Sequence, residues 1–370
     1  MPARVPTTAV LLLILSPVVL CQSPPSPQTV AKSTAPAESP AAPAASSAAP
    51  GDTALPPPAA SSVATKSRTL FFYTSPRSTV EMEVHTIPVT NAARLARLRD
   101  NFRDAGCDGA NMQEQRVDSK HGEPGTNLVC VWPGSGPDTI VVGAHYDHEG
   151  LGQGALDDWS GAALLPFLYQ AIQGQPRQNT YVFLESWKRE GAATWLKSLS
   201  HAERKRIRAM IDLDGLGRSY TRFFTTFSPF ENSPPGSAHL QVELLWAALD
   251  EGLTQAPEQI SPHHWLSVDS TDPFRALMVP TIVIHSIPPG DAKIPGSAAD
   301  IASAIDGNDY YQSYHLMCVF LASLDRVAAK LAASDPIWET GAPSVEPEQE
   351  TPLVTFRQFT NGRLAPAPAH

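Results

Sequence analysis

The 370-residue chain has room for one large domain or two small ones, but its 36 prolines gather toward the two ends, so the foldable part is smaller than the length suggests. A hydrophobic content of 42% is ordinary for a packed core. The formal net charge of −10 excludes the basic footprint of a nucleic-acid-binding protein, and no zinc-finger, basic-region or aromatic RNA-binding pattern is present.

Residues 1–22 carry one early cation, Arg4, followed by the apolar run AVLLLILSPVVLC. About a dozen apolar residues are too few to span a bilayer and suit the core of an export signal. The run therefore predicts an exported protein, secreted, periplasmic or membrane-tethered, with no transmembrane domain. No A-x-A cleavage site is evident, and Cys21, where a lipidated cysteine would stand, follows Leu20 instead of a small residue. Residues 23–67 are Pro, Ala and Ser with almost no large apolar side chain, which predicts a disordered linker. Of the four cysteines, Cys107 and Cys130 are compatible with a disulfide in an oxidising compartment and equally with buried free thiols.

A folded domain is expected over 68–335, beginning at the strand-like RTLFFY. Thr90 or Asn91 caps a helix with Leu95, Leu98 and Phe102 at helical spacing, ending at Gly106. NLVCVW (127–132) and the fully apolar TIVVGA (139–144) read as strands, the second as a buried parallel one. A helix follows Ser160; TYVFL (180–184) and IRAMIDL (207–213) are further strands, with a helix from Ala192 between them. An amphipathic helix over 239–252, a strand over 279–285 and a long helix over 310–332 complete the domain. Strands alternating with helices predict an α/β three-layer sandwich with a mostly parallel central sheet. Proline and glutamate return after Pro336, so 336–370 is expected to be a loosely ordered tail.

The chemistry-bearing residues fall where such a sheet presents its ligand site, beyond the carboxyl ends of the strands. His145, Asp157 and Asp214 sit at or just after those ends, so three metal-compatible side chains from distant parts of the chain can converge. Asp147, two residues past His145, points to the same side of an extended segment and can orient its imidazole.

GAHYDH (143–148) with GALDDWSG (154–161), followed by a strand, an acidic segment and LDGLG, resembles the co-catalytic zinc aminopeptidases, peptidase family 28 of the metallopeptidases, over about Thr86 to Asp325. The resemblance implies hydrolysis of N-terminal peptide bonds, a peptide substrate or ligand, and two zinc ions held by five side chains with a glutamate as general base. Carried over, His145 is the histidine of one zinc, Asp157 the bridging carboxylate and Asp214 a further ligand, with Asp147 as the orienting carboxylate.

Two family positions are altered. No Glu-Glu pair follows the third strand; continuing without a gap places Arg189-Glu190 there, keeping Glu190 as a metal ligand and losing the base. Other registers place Glu185-Ser186 or Lys188-Arg189 on the pair, and none identifies a general base together with the ligand. The histidine that precedes the closing helix is replaced by Gly296 in GSAAD, with His285, His263, His264 and His315 as unranked substitutes. One zinc ion is therefore expected and a second is not supported. An arginine stays protonated and cannot serve as a base, so the expectations divide between a weakened peptidase and a non-catalytic pseudo-peptidase that binds a peptide or protein partner.

Overall fold

In the computed structural model, residues 69–119, 123–225, 234–260, 270–331, 353–360 and 363–364 are described. The expected signal over 1–22, Cys21, the linker over 23–67, and His263 and His264 lie outside them.

The first strand, β1 (Thr69–Thr74), leads into helices α1 (Arg77–His85) and α2 (Asn91–Asp104). The Thr90 hydroxyl accepts the Ala93 N–H at 3.1 Å, the N-cap that its position predicts. Strands β2 (Met112–Val117), β3 (Gly125–Trp132) and β4 (Thr139–His145) follow. Two short helices come next, α3 (Ser160–Ala162) and α4 (Leu165–Ala171), split where Pro166 starts a new first turn. The middle of the domain is β5 (Thr180–Ser186), α5 (Lys188–Ser198), α6 (His201–Arg204), β6 (Ile207–Leu213) and β7 (Arg222–Phe224). Then come α7 (Ser237–Asp250), β8 (Glu258–Gln259), α8 (Asp272–Arg275), β9 (Thr281–His285) and α9 (Gly307–Leu331). Within the stretch expected as a loosely ordered tail, β10 (Leu353–Thr360) runs parallel to β1, Thr69 opposite Leu353, and pairs with the short β11 (Arg363–Leu364).

The main sheet has eight strands in the order β2-β3-β5-β4-β6-β9-β7-β8. Its centre, β5-β4-β6-β9, is parallel, and the antiparallel pairings lie toward its flanks. Alternation along the central strands divides the core in two. Ile140, Val142, Tyr181, Phe183, Ile211, Ile282 and Ile284 pack with Leu98, Leu168, Leu240 and the buried side of α9. Val141, Val182, Leu184 and Met210 pack on the other face with Ala192, Trp195 and Leu196 of α5 and Phe274 of α8. Helices on both faces of a mixed, centrally parallel sheet give the three-layer α/β sandwich expected. Cys107 and Cys130 form a disulfide, with Cα atoms 6.2 Å apart, tying the end of α2's loop to β3. Among the described residues, no helix is long and apolar enough to cross a membrane.

Candidate metal centre

β4 and β6 are parallel neighbours, so His145 and Asp214 emerge at the same edge of the sheet, and Asp157 is brought over them by the loop that returns to α3. One ligand atom from each of His145, Asp157 and Asp214 lies within 4.8 Å of the others. Asp157 sits in a turn of irregular backbone (φ −115°, ψ 90°) just ahead of α3. That turn is anchored from below. The Ser160 hydroxyl donates to the Leu156 carbonyl at 2.8 Å and accepts the Leu216 N–H at 2.8 Å, joining the loop of Asp157 to the loop after Asp214. A Cβ on Gly161 would stand 2.0 Å from the Leu213 carbonyl oxygen, so only glycine lets α3 sit this close to the end of β6.

His145 presents its two ring nitrogens to two carboxylates. Nδ1 is 3.5 Å from Asp147 and Nε2 is 3.6 Å from Asp157. Burial by itself would lower the imidazole pKa, but Asp147, Asp214 and Asp157 outweigh it and raise the value to about 10. Asp147 is buried, which alone would raise its pKa; the His145 ring and the Lys188 N–H, donated at 2.9 Å, reverse this and hold it below the usual carboxylate range. The Asp157 pKa moves upward, first through burial of the carboxylate and then through the charges of Asp300 and Asp147, against the pull of His145. The cluster thus gathers negative charge around one nitrogen donor. An imidazole with two carboxylates is a borderline-to-hard donor set that fits zinc, and Asp147 supplies the carboxylate that orients the histidine.

The remaining expected residues are placed differently. Glu190 lies in the first turn of α5 and is not part of the cluster. The reason is the turn between β5 and α5, where Lys188 takes a positive φ of 52° and breaks the simple continuation of the strand. The Lys188 ammonium pairs with Glu149 and lies 5.5 Å from the Trp187 ring. Glu185, beside Ala144 of β4, is fully buried, and neither of its carboxyl oxygens has a hydrogen-bond partner among the described residues. Burial raises its pKa well above the ordinary value, with only His145 acting against it.

Gly296 stands in the segment that closes over the metal loop. Its carbonyl accepts the Leu151 N–H at 3.1 Å, and its N–H donates to Asp300 at 3.2 Å. Asp300 also accepts the N–H groups of Leu156 at 2.7 Å and Asp157 at 3.3 Å, so this segment fixes the backbone of the central ligand although it brings no imidazole. The space in front of Gly296 is open, since a Cβ there would have no neighbour within 4 Å. Neither described substitute fills it. His285 is buried at the end of β9, held neutral by burial and Arg222, and His315 pairs with Glu251 at 3.2 Å.

Arg94 is the residue that pattern reading missed. It is fully buried and contacts the metal loop through main-chain carbonyls, and no sequence signal distinguishes it from the other arginines of α2.

A family model described as Peptidase family M28 matches residues 127–329. No curated protein sequence matches the chain. Among solved structures, Macrostomum lignano glutaminyl cyclase is similar with 16% identity and a TM-score of 0.55, over 67% of this chain and 88% of that one. Porphyromonas gingivalis glutaminyl cyclase is similar with 18% identity and a TM-score of 0.51, over 66% and 96%. A zinc aminopeptidase from Bacillus subtilis matches at 17% identity and a TM-score of 0.46, over 54% of this chain; the matched region spans 50% of that aminopeptidase.

Proposed function

The chain belongs to peptidase family M28, and on that premise we propose that it is an exported zinc-dependent hydrolase of the aminopeptidase type, holding one zinc ion through His145, Asp157 and Asp214. The observation that carries this reading is the convergence of these three side chains from the ends of β4 and β6 and from the loop that leads into α3. Export rests on the short apolar run at residues 9–21. A bound zinc would supply Lewis acidity toward a peptide carbonyl and toward water. Asp147, on the Nδ1 side of His145, fixes the ring orientation that leaves Nε2 facing Asp157, as the nitrogen that would hold the zinc. Glu190, the further ligand that the sequence suggests, would have to approach from the first turn of α5.

The groups needed for proton transfer are depleted. A base must be ionised and within reach, and Glu185 is held neutral by burial, which suits a hydrogen-bond donor better than an acceptor of protons. Loss of a positioned base typically removes ~10²–10⁴-fold in rate, so turnover well below that of a fully equipped site is expected. The open space at Gly296 favours a second reading, a non-catalytic relative that uses the retained site to bind a peptide or protein partner. Assay of the purified protein on N-terminal peptide amides, with a glutaminyl peptide included, separates the two. Turnover abolished by chelator and restored by zinc supports the hydrolase; zinc-dependent peptide binding with no product formed supports the binding reading.

A further inference from the structure

The family match begins at residue 127, yet the metal loop is held from outside it. We infer that the first turn of α2, through Asn91 and Arg94, is a positioning clamp for the metal loop and is functionally part of the metal centre. The inference rests on the zinc reading of His145, Asp157 and Asp214. Asn91 and Arg94 stand three residues apart and so share one face of the helix. Asn91 makes a reciprocal pair with the main chain of His148: its Oδ1 accepts the His148 N–H at 2.8 Å, and its Nδ2 donates to the His148 carbonyl at 3.3 Å.

Arg94 extends the same grip. Its Nη1 donates to the Tyr146 carbonyl at 3.1 Å, its Nη2 to the carbonyls of Gln153 at 2.5 Å and Gly154 at 3.3 Å, and its Nε to that of Pro88 at 3.3 Å. Tyr146 follows one ligand, His145, and Gly154 precedes the other, Asp157, by three residues. One guanidinium therefore ties both arms of the loop that presents two of the three ligands. A planar fork of five donors can span these carbonyls at once, whereas the point charge of a lysine cannot. The cation also lies in the field of Asp147, Asp300 and Asp157, so it counters their charge from behind the site. It stays charged at neutral pH, since burial lowers its pKa only to about 10.

The test uses the full chain and two readouts, zinc affinity by competition with a chromophoric chelator and the visible spectrum of the cobalt(II) form at saturating metal. Arg94→Met and Arg94→Lys are expected to bind zinc about 10–100-fold more weakly, as supporting partners of metal ligands generally do, with Asn91→Ala showing a smaller loss in the same direction. The cobalt bands should shift in all of them, which a merely structural role would not cause. If Arg94→Met does not fold, Arg94→Lys and Asn91→Ala carry the test. Wild-type affinity with an unaltered cobalt spectrum in these two variants would overturn the clamp while leaving the zinc site standing. A wild-type protein that takes up neither zinc nor cobalt would overturn both.

Discussion

Glu185 offers a prediction whose size follows from the fold. Its carboxyl is fully buried at the end of β5, and burial holds its pKa well above the ordinary 4.5. The unfolded chain releases this proton near 4.5 while the folded chain keeps it, so the group favours the folded state at low pH and this advantage is lost as pH rises toward the folded pKa. For as long as the folded carboxyl stays protonated, stability falls by about 1.4 kcal/mol per pH unit above the unfolded value. Glu185→Gln keeps the shape, leaves an uncharged amide in the same place and removes the titration. Between pH 5 and pH 7 the stability of the variant relative to the wild type should therefore rise, by up to about 2.5 kcal/mol, the limit for a carboxyl that stays protonated in the folded chain across this range, whatever fixed cost the amide carries. Urea unfolding at pH 5, 6 and 7, followed by tryptophan fluorescence with chelator present and the disulfide intact, measures the difference directly. A difference that does not change with pH would show that Glu185 is ionised in the folded protein, and would reopen it as a base.

The metal cluster and the disulfide each carry an expected outcome. With the His145 pKa raised to about 10, zinc has to displace a proton from the imidazole, so zinc affinity should climb with pH, by up to about tenfold per unit between pH 6 and 8; competition titrations that give one pH-independent constant would contradict this. The Cys107–Cys130 bridge closes a separation of 23 residues, for which chain entropy gives about 3 kcal/mol, so the Cys107→Ala/Cys130→Ala protein should unfold at a correspondingly lower urea concentration, and an unchanged midpoint would count against the bridge.

The parts of the fold that were legible in the sequence are those where local pattern and tertiary environment agree. The apolar runs of β4, β5, β6 and β9 are central strands covered on both faces, and Thr90 caps α2 as its chemistry requires. β2, MQEQRV, was not legible, because an edge strand with one covered face needs few apolar residues, and β7 and β8 are too short to carry a pattern. In the site, Asp147 is placed by the two-residue period of an extended segment, which survives folding. The segment after β5 was ambiguous because its outcome depends on one residue, Lys188, adopting a left-handed conformation that nothing in its side chain favours. Arg94 was invisible for a different reason: its partners are main-chain carbonyls about 50 to 60 residues away, and carbonyls leave no trace in a sequence.

A single zinc site built from His145, Asp157 and Asp214 is what this chain is proposed to carry. Its most direct test is zinc content per chain after equilibration with excess zinc and gel filtration, for the wild type and for His145→Ala and Asp214→Asn. One zinc per wild-type chain and none in either variant is the result the structure predicts; zinc retained in His145→Ala, or none in the wild type, would contradict it.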